Sequence, residues 1–211
     1  MRALLKNLPA ADEASAAAAH ARESTLTKPA GALGRLEDLV AWMARWQGRY
    51  PPSLDRPRVC VFAGNHGVVA QGVSAYPADV TQQMVRNFIT GGAAINQLCK
   101  LFDADLRVFE MALEVPTRDF TEEPALSESE CAQAMVYGMM AVEPGIDLLC
   151  LGEMGIGNTT AAAAICHALH GGAASDWTGP GTGLSGSALA RKAEVVGQGV
   201  ARHRAIMSDG L

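Results

Sequence analysis

The chain has few aromatic and few charged side chains. Aromatic residues make up 5% and charged residues 18% of its 211 residues, whereas hydrophobic residues reach 49%. The net charge of -5 argues against a general nucleic-acid-binding or anionic-membrane surface, although backbone amides can still bind a local anion. No apolar run is long enough to span a membrane, and Met1–Lys6 lacks the apolar core of a signal peptide.

The chain also lacks paired cysteines. Its five cysteines include no C-x-x-C pair, and Cys60, Cys150 and Cys166 lie in apolar segments. We therefore expect buried, reduced thiols and a cytoplasmic protein. No second histidine or cysteine has metal-ligand spacing to His66, so neither a metal nor another cofactor is expected.

Apolar strand patterns alternate with helical patterns. Runs at 59–63, 106–112 and 147–151 predict buried parallel strands. Helical spacing between and after them implies βαβ crossovers, and hence an α/β fold with a Rossmann-like, three-layer parallel sheet. An N-terminal helical segment at 1–55 should precede an α/β domain at 56–211. Within that segment, apolar spacing from Leu33 to Trp46 predicts a helix that turns Trp46 toward a core.

A glycine-rich segment joins the third predicted strand to the next helix. Unpaired amides and the helix dipole at such a junction attract phosphate. A plain βα turn is the alternative. The segment lacks the lysine of a P-loop and the third glycine of the dinucleotide fingerprint, so an NAD(P)-binding module is a weaker hypothesis. Its glycine, acidic and polar residues are Gly152, Glu153, Gly155, Gly157, Asn158, Thr159 and Thr160.

A second polar loop, Gly64–Gly67, ends the first predicted strand. Open α/β sheets bind ligands at the carboxyl ends of their strands, so we expect this loop to lie beside the Glu153 loop. His66 could titrate near neutral pH or be an ordinary turn histidine. Lys192 could reach an anion or be a solvated helix lysine. The segment around Ser74 could hold a flat heterocycle or be an ordinary proline turn.

Four segments taken together resemble one known family. In chain order they are similar to the motifs of nicotinate-nucleotide–dimethylbenzimidazole phosphoribosyltransferase, an enzyme of cobalamin lower-ligand assembly. The resemblance implies transfer of phosphoribosyl from nicotinate mononucleotide to 5,6-dimethylbenzimidazole, giving α-ribazole 5′-phosphate and nicotinate, without a metal. It also implies a homodimer. The four segments are Thr27–Glu37, Gly64–Asn96, Gly152–Thr160 and Trp177–Gly183.

The resemblance and the loop assign residues to the two substrates. Glu153, Gly155 and Gly181 match positions that hold the nucleotide, and Lys192 matches a phosphate contact. The loop itself, through its free amides and caps, adds residues 157–159. The complete phosphate and ribose set is Glu153, Gly155, Gly157, Asn158, Thr159, Gly181 and Lys192, and the expected benzimidazole set is Ser74, Gln82 and Met154.

The chain departs from the family at two places. Asn65 stands where many members have aspartate. The late Gly-Glu-Gly-Thr-Gly segment, whose glutamate is the family's catalytic base, does not occur, so the catalytic residue is unknown and Glu153 is the candidate substitute if burial raises its pKa. The chain resembles roughly the first three-fifths of the enzyme. We expect an incomplete sheet whose apolar edge is covered by self-association; a binding-only fragment is the alternative.

Overall fold

The structure is a computed structural model that describes residue 3 and residues 6–207. Residues 1–2, 4–5 and 208–211, which include both ends of the chain, lie outside that description. The chain divides into two compact units, Met1–Arg56 and Pro57–Leu211.

The N-terminal unit is built on two helices, α1 (Glu13–Glu23) and α2 (Arg35–Gln47). Alanines form the buried contact between them, a cluster of Ala19, Ala41 and Ala44, because small side chains allow helices to approach closely. The apolar face predicted for α2 is not the buried one. Trp46 is 56% exposed, so the predicted core position of this tryptophan is wrong.

The second unit is built on a parallel sheet of three strands in the order β2-β1-β3. The strands are β1 (Pro57–Ala63), β2 (Asp105–Glu110) and β3 (Leu148–Met154). In register, Ala63 of β1 lies opposite Glu110 of β2 and Met154 of β3, so the carboxyl ends of all three strands meet at one edge. The predicted α/β class with a parallel sheet is confirmed.

Helices connect the strands and follow the last one. Two helices lie between β1 and β2 and one between β2 and β3, as βαβ crossovers require. The second unit also contains two short 3-10 helices, Gly67–Gln71 and Arg204–Ile206. The α-helices are α3 (Asp79–Ile89), α4 (Ala94–Leu101), α5 (Glu128–Met139), α6 (Asn158–His170), α7 (Ala174–Trp177) and α8 (Gly186–His203).

Strand β3 differs from the expectation in its length and its burial. It continues past Leu151 to Met154, so the turn before α6 is confined to Gly155–Gly157. It is also an edge strand of the described sheet, and no neighbour covers its outer side there. Leu151 is therefore 71% exposed and the thiol of Cys150 is exposed, which corrects the expected burial of this cysteine.

Other apolar side chains around β3 are exposed as well. Ile165 and Leu169 of α6 are 61% and 70% exposed, in line with the expected incomplete sheet. None of the helices in the described part of the chain has the length and hydropathy of a membrane span.

Candidate functional site

The strand order produces a crevice at the carboxyl ends of β1 and β3. Because β1 is central, the chain leaves it for β2 on one side and later reaches β3 on the other. Open α/β sheets bind ligands at this kind of reversal. Both polar loops singled out in the sequence, Gly64–Gly67 and Gly155–Gly157, lie there because they follow β1 and β3 directly.

The two loops are in contact through glycine. A Cβ atom at Gly155 would lie 2.2 Å from the carbonyl oxygen of Gly64 and 3.2 Å from Nε2 of His66. Gly157 has a φ of +90°, and a Cβ atom there would lie 2.8 Å from a methyl group of Val69, so only glycine fits both positions. The packing partly buries His66, and this desolvation lowers the pKa of its imidazole, which favours the neutral ring.

The turn between β3 and α6 presents backbone amides to the crevice. The amide of Ile156 is anchored, because it donates to Oγ1 of the fully buried Thr81 at 3.1 Å. The amides of Gly155, Gly157 and Thr159 donate no hydrogen bond to the residues that the structure describes. Together with the dipole of α6, free amides of this kind form an anion site.

Lys192 of α8 brings a buried positive charge to the same turn. Its side chain is fully buried, and Nζ donates to Oγ1 of Thr159 at 2.7 Å and to the carbonyl oxygen of Gly179 at 3.0 Å. Both partners are neutral, and burial lowers the pKa of the ammonium group. The alternative of a solvated helix lysine is therefore wrong. Among the residues that the structure describes, no carboxylate pairs with Lys192, and a buried ammonium in that position is stabilised by a bound anion.

The packing of α8 explains how Lys192 reaches the turn. Val195, one helical turn further along α8, is fully buried in a cluster with Val68 and Val73. Residues three apart share a helix face, so the contact that buries Val195 also keeps Lys192 on the inward face of α8, where its Nζ meets Thr159 at the start of α6. Apolar packing of α8 therefore keeps Lys192 buried, although burying its charge costs free energy.

The loop that precedes α8 closes over Lys192. Gly181 has a φ of +54°, and a Cβ atom there would lie 2.7 Å from Nζ of Lys192 and 2.8 Å from Oγ1 of Thr159. The next residue reaches the segment around Ser74: Oγ1 of Thr182 and Oγ of Ser74 are 3.0 Å apart. Four of the residues expected at the two substrates therefore lie next to one another in a row that also includes Thr182. The order along this row is Ser74, Thr182, Gly181, Lys192 and Thr159.

Glu153 and Met154 lie at the end of β3 and face opposite sides of the sheet. Met154 is half-buried and packs against a cluster that contains Val85 of α3. Glu153 is exposed and lies opposite Phe62 of β1 in register. Partial desolvation by surrounding protein atoms nevertheless raises the pKa of its carboxyl group.

Asn65 has a structural function that aspartate could not perform in its ionised form. Its Nδ2 donates to the carbonyl oxygen of Leu113 at 2.9 Å, and an ionised carboxylate has no proton to donate. The backbone adds to this tie, because the amide of Thr117 donates to the carbonyl oxygen of Asn65 at 3.0 Å. The asparagine therefore anchors the β1 loop to the chain that follows β2.

Comparison with known proteins agrees with this geometry. The sequence model of a family described as phosphoribosyltransferase matches residues 8–211. The chain belongs to this phosphoribosyltransferase family. Two nicotinate-nucleotide–dimethylbenzimidazole phosphoribosyltransferases, from Methylocella silvestris and Sinorhizobium medicae, are 58% and 59% identical to it over 211 and 210 residues. The resemblance stated from the motifs is thereby confirmed, and the NAD(P)-binding alternative loses its support.

The phosphoribosyltransferase fold is shared with a solved structure. A crystal structure of CobT from Thermus thermophilus covers 94% of this chain with a TM-score of 0.82 and 40% identity. The chain covers 64% of that structure and spans 62% of the length of the two curated relatives.

Two threonines of the crevice were not identified from the sequence. Thr81 holds the amide of Ile156, and Thr182 holds the segment of Ser74. Each directly adjoins an expected residue, Gln82 or Gly181, and a hydroxyl beside a glycine-rich turn is the signal that could have found them. Gln82 itself is exposed on α3. Across residue 3 and residues 6–207, no cluster of histidine, cysteine or acidic side chains could hold a metal ion.

Proposed function

We propose that this chain carries the nucleotide-binding part of a glycosyltransferase that moves phosphoribosyl from nicotinate mononucleotide to 5,6-dimethylbenzimidazole. The products are nicotinate and α-ribazole 5′-phosphate. The observation that carries the proposal is Lys192, whose buried Nζ, within the described part of the chain, has neutral partners only and lies beside the free amides of the β3–α6 turn. The names of the relatives that are 58% and 59% identical support the same reaction.

The 5′-phosphate occupies the N-terminal end of α6. The free amides of Gly155, Gly157 and Thr159 donate to its oxygens, Asn158 lies at the same first turn, and Lys192 supplies the positive charge. An anion there replaces the water that the amides would otherwise bind. Because the site is partly desolvated, the attraction between Lys192 and the phosphate is stronger than it would be in bulk water.

The ribose and the base then extend along the crevice. Gly181 permits the loop before α8 to approach the nucleotide, since a larger residue would meet Lys192. Ser74 lies on the far side of Thr182 and marks the benzimidazole side, together with Gln82 and Met154. A ring nitrogen of the base attacks the anomeric carbon from the face opposite the departing nicotinate, so the configuration inverts. Holding both substrates in line is the main contribution of the protein.

Glu153 is our candidate for the general base. The benzimidazole N–H proton has to be removed as the new glycosidic bond forms, and a carboxylate with a raised pKa is a better proton acceptor than an ordinary one. A Glu153→Gln variant keeps the shape but cannot accept the proton. Its turnover with both substrates should fall about a hundredfold or more, and unchanged turnover would remove Glu153 from this role.

Calorimetry with nicotinate mononucleotide tests the binding proposal. Replacing Lys192 by methionine keeps an unbranched side chain of nearly the same length but removes its charge, and should weaken binding about tenfold or more. Lys100→Met, at an exposed position of α4, is the matched control and should bind as the unaltered chain does. If the unaltered chain gave no heat with the nucleotide, the proposal would be wrong.

A product assay beside the calorimetry separates turnover from binding. Formation of α-ribazole 5′-phosphate by the chain supports the transferase. Binding without product would instead support the binding-only fragment.

We also propose that residues 56–211 act as the nucleotide-binding domain, that the chain forms a homodimer, and that it works in the cytoplasm. The exposed apolar side chains around β3 support self-association. All five cysteines are free thiols, as a reducing compartment allows. The net charge of -5 supports small-molecule partners over nucleic acid or an anionic membrane surface.

A further inference from the structure

Among the described residues, Thr182 is the one that forms hydrogen bonds between the loop that covers Lys192 and the segment that contains Ser74. Its Oγ1 accepts a hydrogen bond from the amide of Ala75 at 2.9 Å and lies 3.0 Å from Oγ of Ser74. These contacts join positions 107 and 108 residues apart in the chain. They cannot arise from local chain geometry, so they report how the two loops are held together.

The two hydroxyls have complementary hydrogen-bonding needs. A hydroxyl donates one proton and accepts up to two. Oγ of Ser74 already accepts from the amide of Tyr76 at 3.1 Å, and Oγ1 of Thr182 already accepts from the amide of Ala75. When Thr182 donates its proton to Ser74, the proton of Ser74 is directed away from Thr182, toward the side proposed for the base. Thr182 thus controls the direction in which Ser74 presents its hydroxyl group.

The loop before α8 is itself suited to respond to the nucleotide. The amides of Gly183 and Leu184 both donate to the carbonyl oxygen of Pro180 at 3.0 and 2.9 Å, which closes a compact turn around Thr182. This turn passes close to Lys192, because a Cβ atom at Gly181 would lie 2.7 Å from its Nζ. An anion that fixes Lys192 therefore restrains the turn, and the turn carries Thr182 to Ser74 and Ala75.

We infer that Thr182 is a positioning residue that couples the two substrate loops, so that binding of the nucleotide strengthens binding of the aromatic base. The inference rests on the proposed function, because it takes the Lys192 loop as the nucleotide side and the Ser74 segment as the base side. Thr182 needs no contact with either substrate for this role. By linkage, the base strengthens nucleotide binding by the same factor.

The test compares the full chain with Thr182→Val, which keeps the shape without the hydroxyl, and Thr182→Ser, which keeps the hydroxyl. Rapid-mixing fluorescence of 5,6-dimethylbenzimidazole, read before the two substrates react, measures its affinity with and without saturating nicotinate mononucleotide. We expect the nucleotide to strengthen base binding at least about fivefold in the unaltered chain and in Thr182→Ser. In Thr182→Val this factor should fall to about one, while the nucleotide alone still binds. Thr182→Ala measures the same loss if valine prevents folding.

Amide hydrogen exchange at Ala75 supplies a readout that needs no base. Saturating nucleotide should slow exchange at this amide in the unaltered chain and in Thr182→Ser, but not in Thr182→Val. Unchanged coupling in Thr182→Val, or no coupling in the unaltered chain despite nucleotide binding, would overturn the inference and leave the proposed function standing. Absence of nucleotide binding in every variant would overturn both.

Discussion

At the scale of single residues, the crevice depends on positions where no side chain fits. Gly155→Ala would place a methyl group 2.2 Å from the carbonyl oxygen of Gly64, so one of the two loops must move. Overpacking of this kind costs about 1–3 kcal/mol of stability. Because the moved turn carries the free amides, affinity for nicotinate mononucleotide should fall as well. Urea unfolding and calorimetry measure the two effects.

Gly138→Ala is the matched control for this change. Gly138 lies in the last turn of α5, and a Cβ atom there would meet nothing within 4 Å. Alanine has a higher helix propensity than glycine, so this variant should be at least as stable as the unaltered chain and bind the nucleotide normally. Equal stabilities of the Gly155→Ala variant and the unaltered chain would contradict the close contact of the two loops.

Burial of His66 predicts a pH dependence of stability with a definite sign. Its pKa is lowered from the ordinary 6.5, so below that pH the unfolded chain binds a proton that the folded chain does not. The free energy of unfolding should therefore fall as the pH drops through 6.5, with a slope of at most about 1.4 kcal/mol per pH unit from this group. The loss levels off below the lowered pKa of the folded state.

Denaturant unfolding across this pH window measures the His66 contribution. His66→Gln removes the titrating group, so its stability should change less between neutral and mildly acidic pH than that of the unaltered chain. His170→Gln replaces an exposed histidine and should keep the pH dependence of the unaltered chain. Parallel pH profiles for His66→Gln and the unaltered chain would show that this imidazole titrates alike in both states.

Sequence motifs can identify candidate binding residues by their chemical type. They cannot identify residues whose role depends on a partner that is distant in the chain. Gly181 and Lys192 were expected at one site from their motifs, and the structure places them beside each other, since a Cβ atom at Gly181 would lie 2.7 Å from Nζ of Lys192; their role in binding stays a prediction. Whether Lys192 was solvated or buried depended on the packing of α8, which no local pattern shows. Thr81 and Thr182 were not identified from the sequence for the same reason. The partner of Thr81 lies 75 residues away, and the partners of Thr182 lie 107 and 108 residues away.

At the scale of secondary-structure elements, α5 has a strongly defined beginning. Oγ of Ser127 accepts from the amide of Glu130 at 3.2 Å, and the carboxylate of Glu130 accepts from the amide of Ser127 at 2.6 Å. This is a reciprocal capping box. The side chain of Arg118 also donates to this carboxylate, and this bond, more than the two from Ser127, lowers the pKa of Glu130 to about 2.

Replacing Ser127 by alanine should shorten α5 and lower the free energy of unfolding by about 1 kcal/mol, the usual value for a lost serine cap. Ser129→Ala, at an exposed position of the same turn, should change stability little. Urea unfolding followed by circular dichroism measures both. The capping carboxylate should act fully above 4.5, its ordinary pKa, and weaken only as the pH falls toward about 2. Equal losses in the two serine variants would contradict the capping function.

Element positions could be predicted well from periodicity, whereas their ends and faces could not. The end of β3 is the clearest example. Gly152 and Glu153 are unfavourable in a strand by local preference, yet pairing with β1 continues to Met154. In α2 the helical spacing was right, but the buried face is that of Ala41 and Ala44, because close helix packing selects small residues over the larger apolar ones.

At the scale of the whole molecule, alternation of strands and helices was sufficient to predict the fold class, because parallel strands need crossover helices. Burial was predicted less well, since an apolar run shows only that a strand can be buried. Cys60 in central β1 is fully buried, whereas Leu151 in β3 is 71% exposed, although both lie in similar apolar runs. Strand β1 has a neighbouring strand on each side, whereas β3 has one on a single side of the described sheet. This difference follows from the strand order, which an apolar run does not show.

The exposed edge at β3 leads to a prediction about assembly. Unpaired backbone groups and apolar side chains at a sheet edge favour pairing with another chain, and a lysine at such an edge opposes it. We expect the chain to sediment as a dimer, and Leu151→Lys to weaken the association about tenfold or more, since it removes an apolar contact and places charge at the interface. Sedimentation velocity over a dilution series measures the equilibrium.

Val115→Lys is the control for the added charge, because Val115 is 72% exposed in the loop that follows β2, outside the strand. It should leave the dimer intact, since its new charge does not lie on β3. A chain that sediments as a monomer at every concentration would contradict self-association altogether. Equal weakening by both lysines would show that net charge, and not the β3 edge, controls the assembly. Only selective weakening by Leu151→Lys assigns the contact to the strand that also carries Glu153.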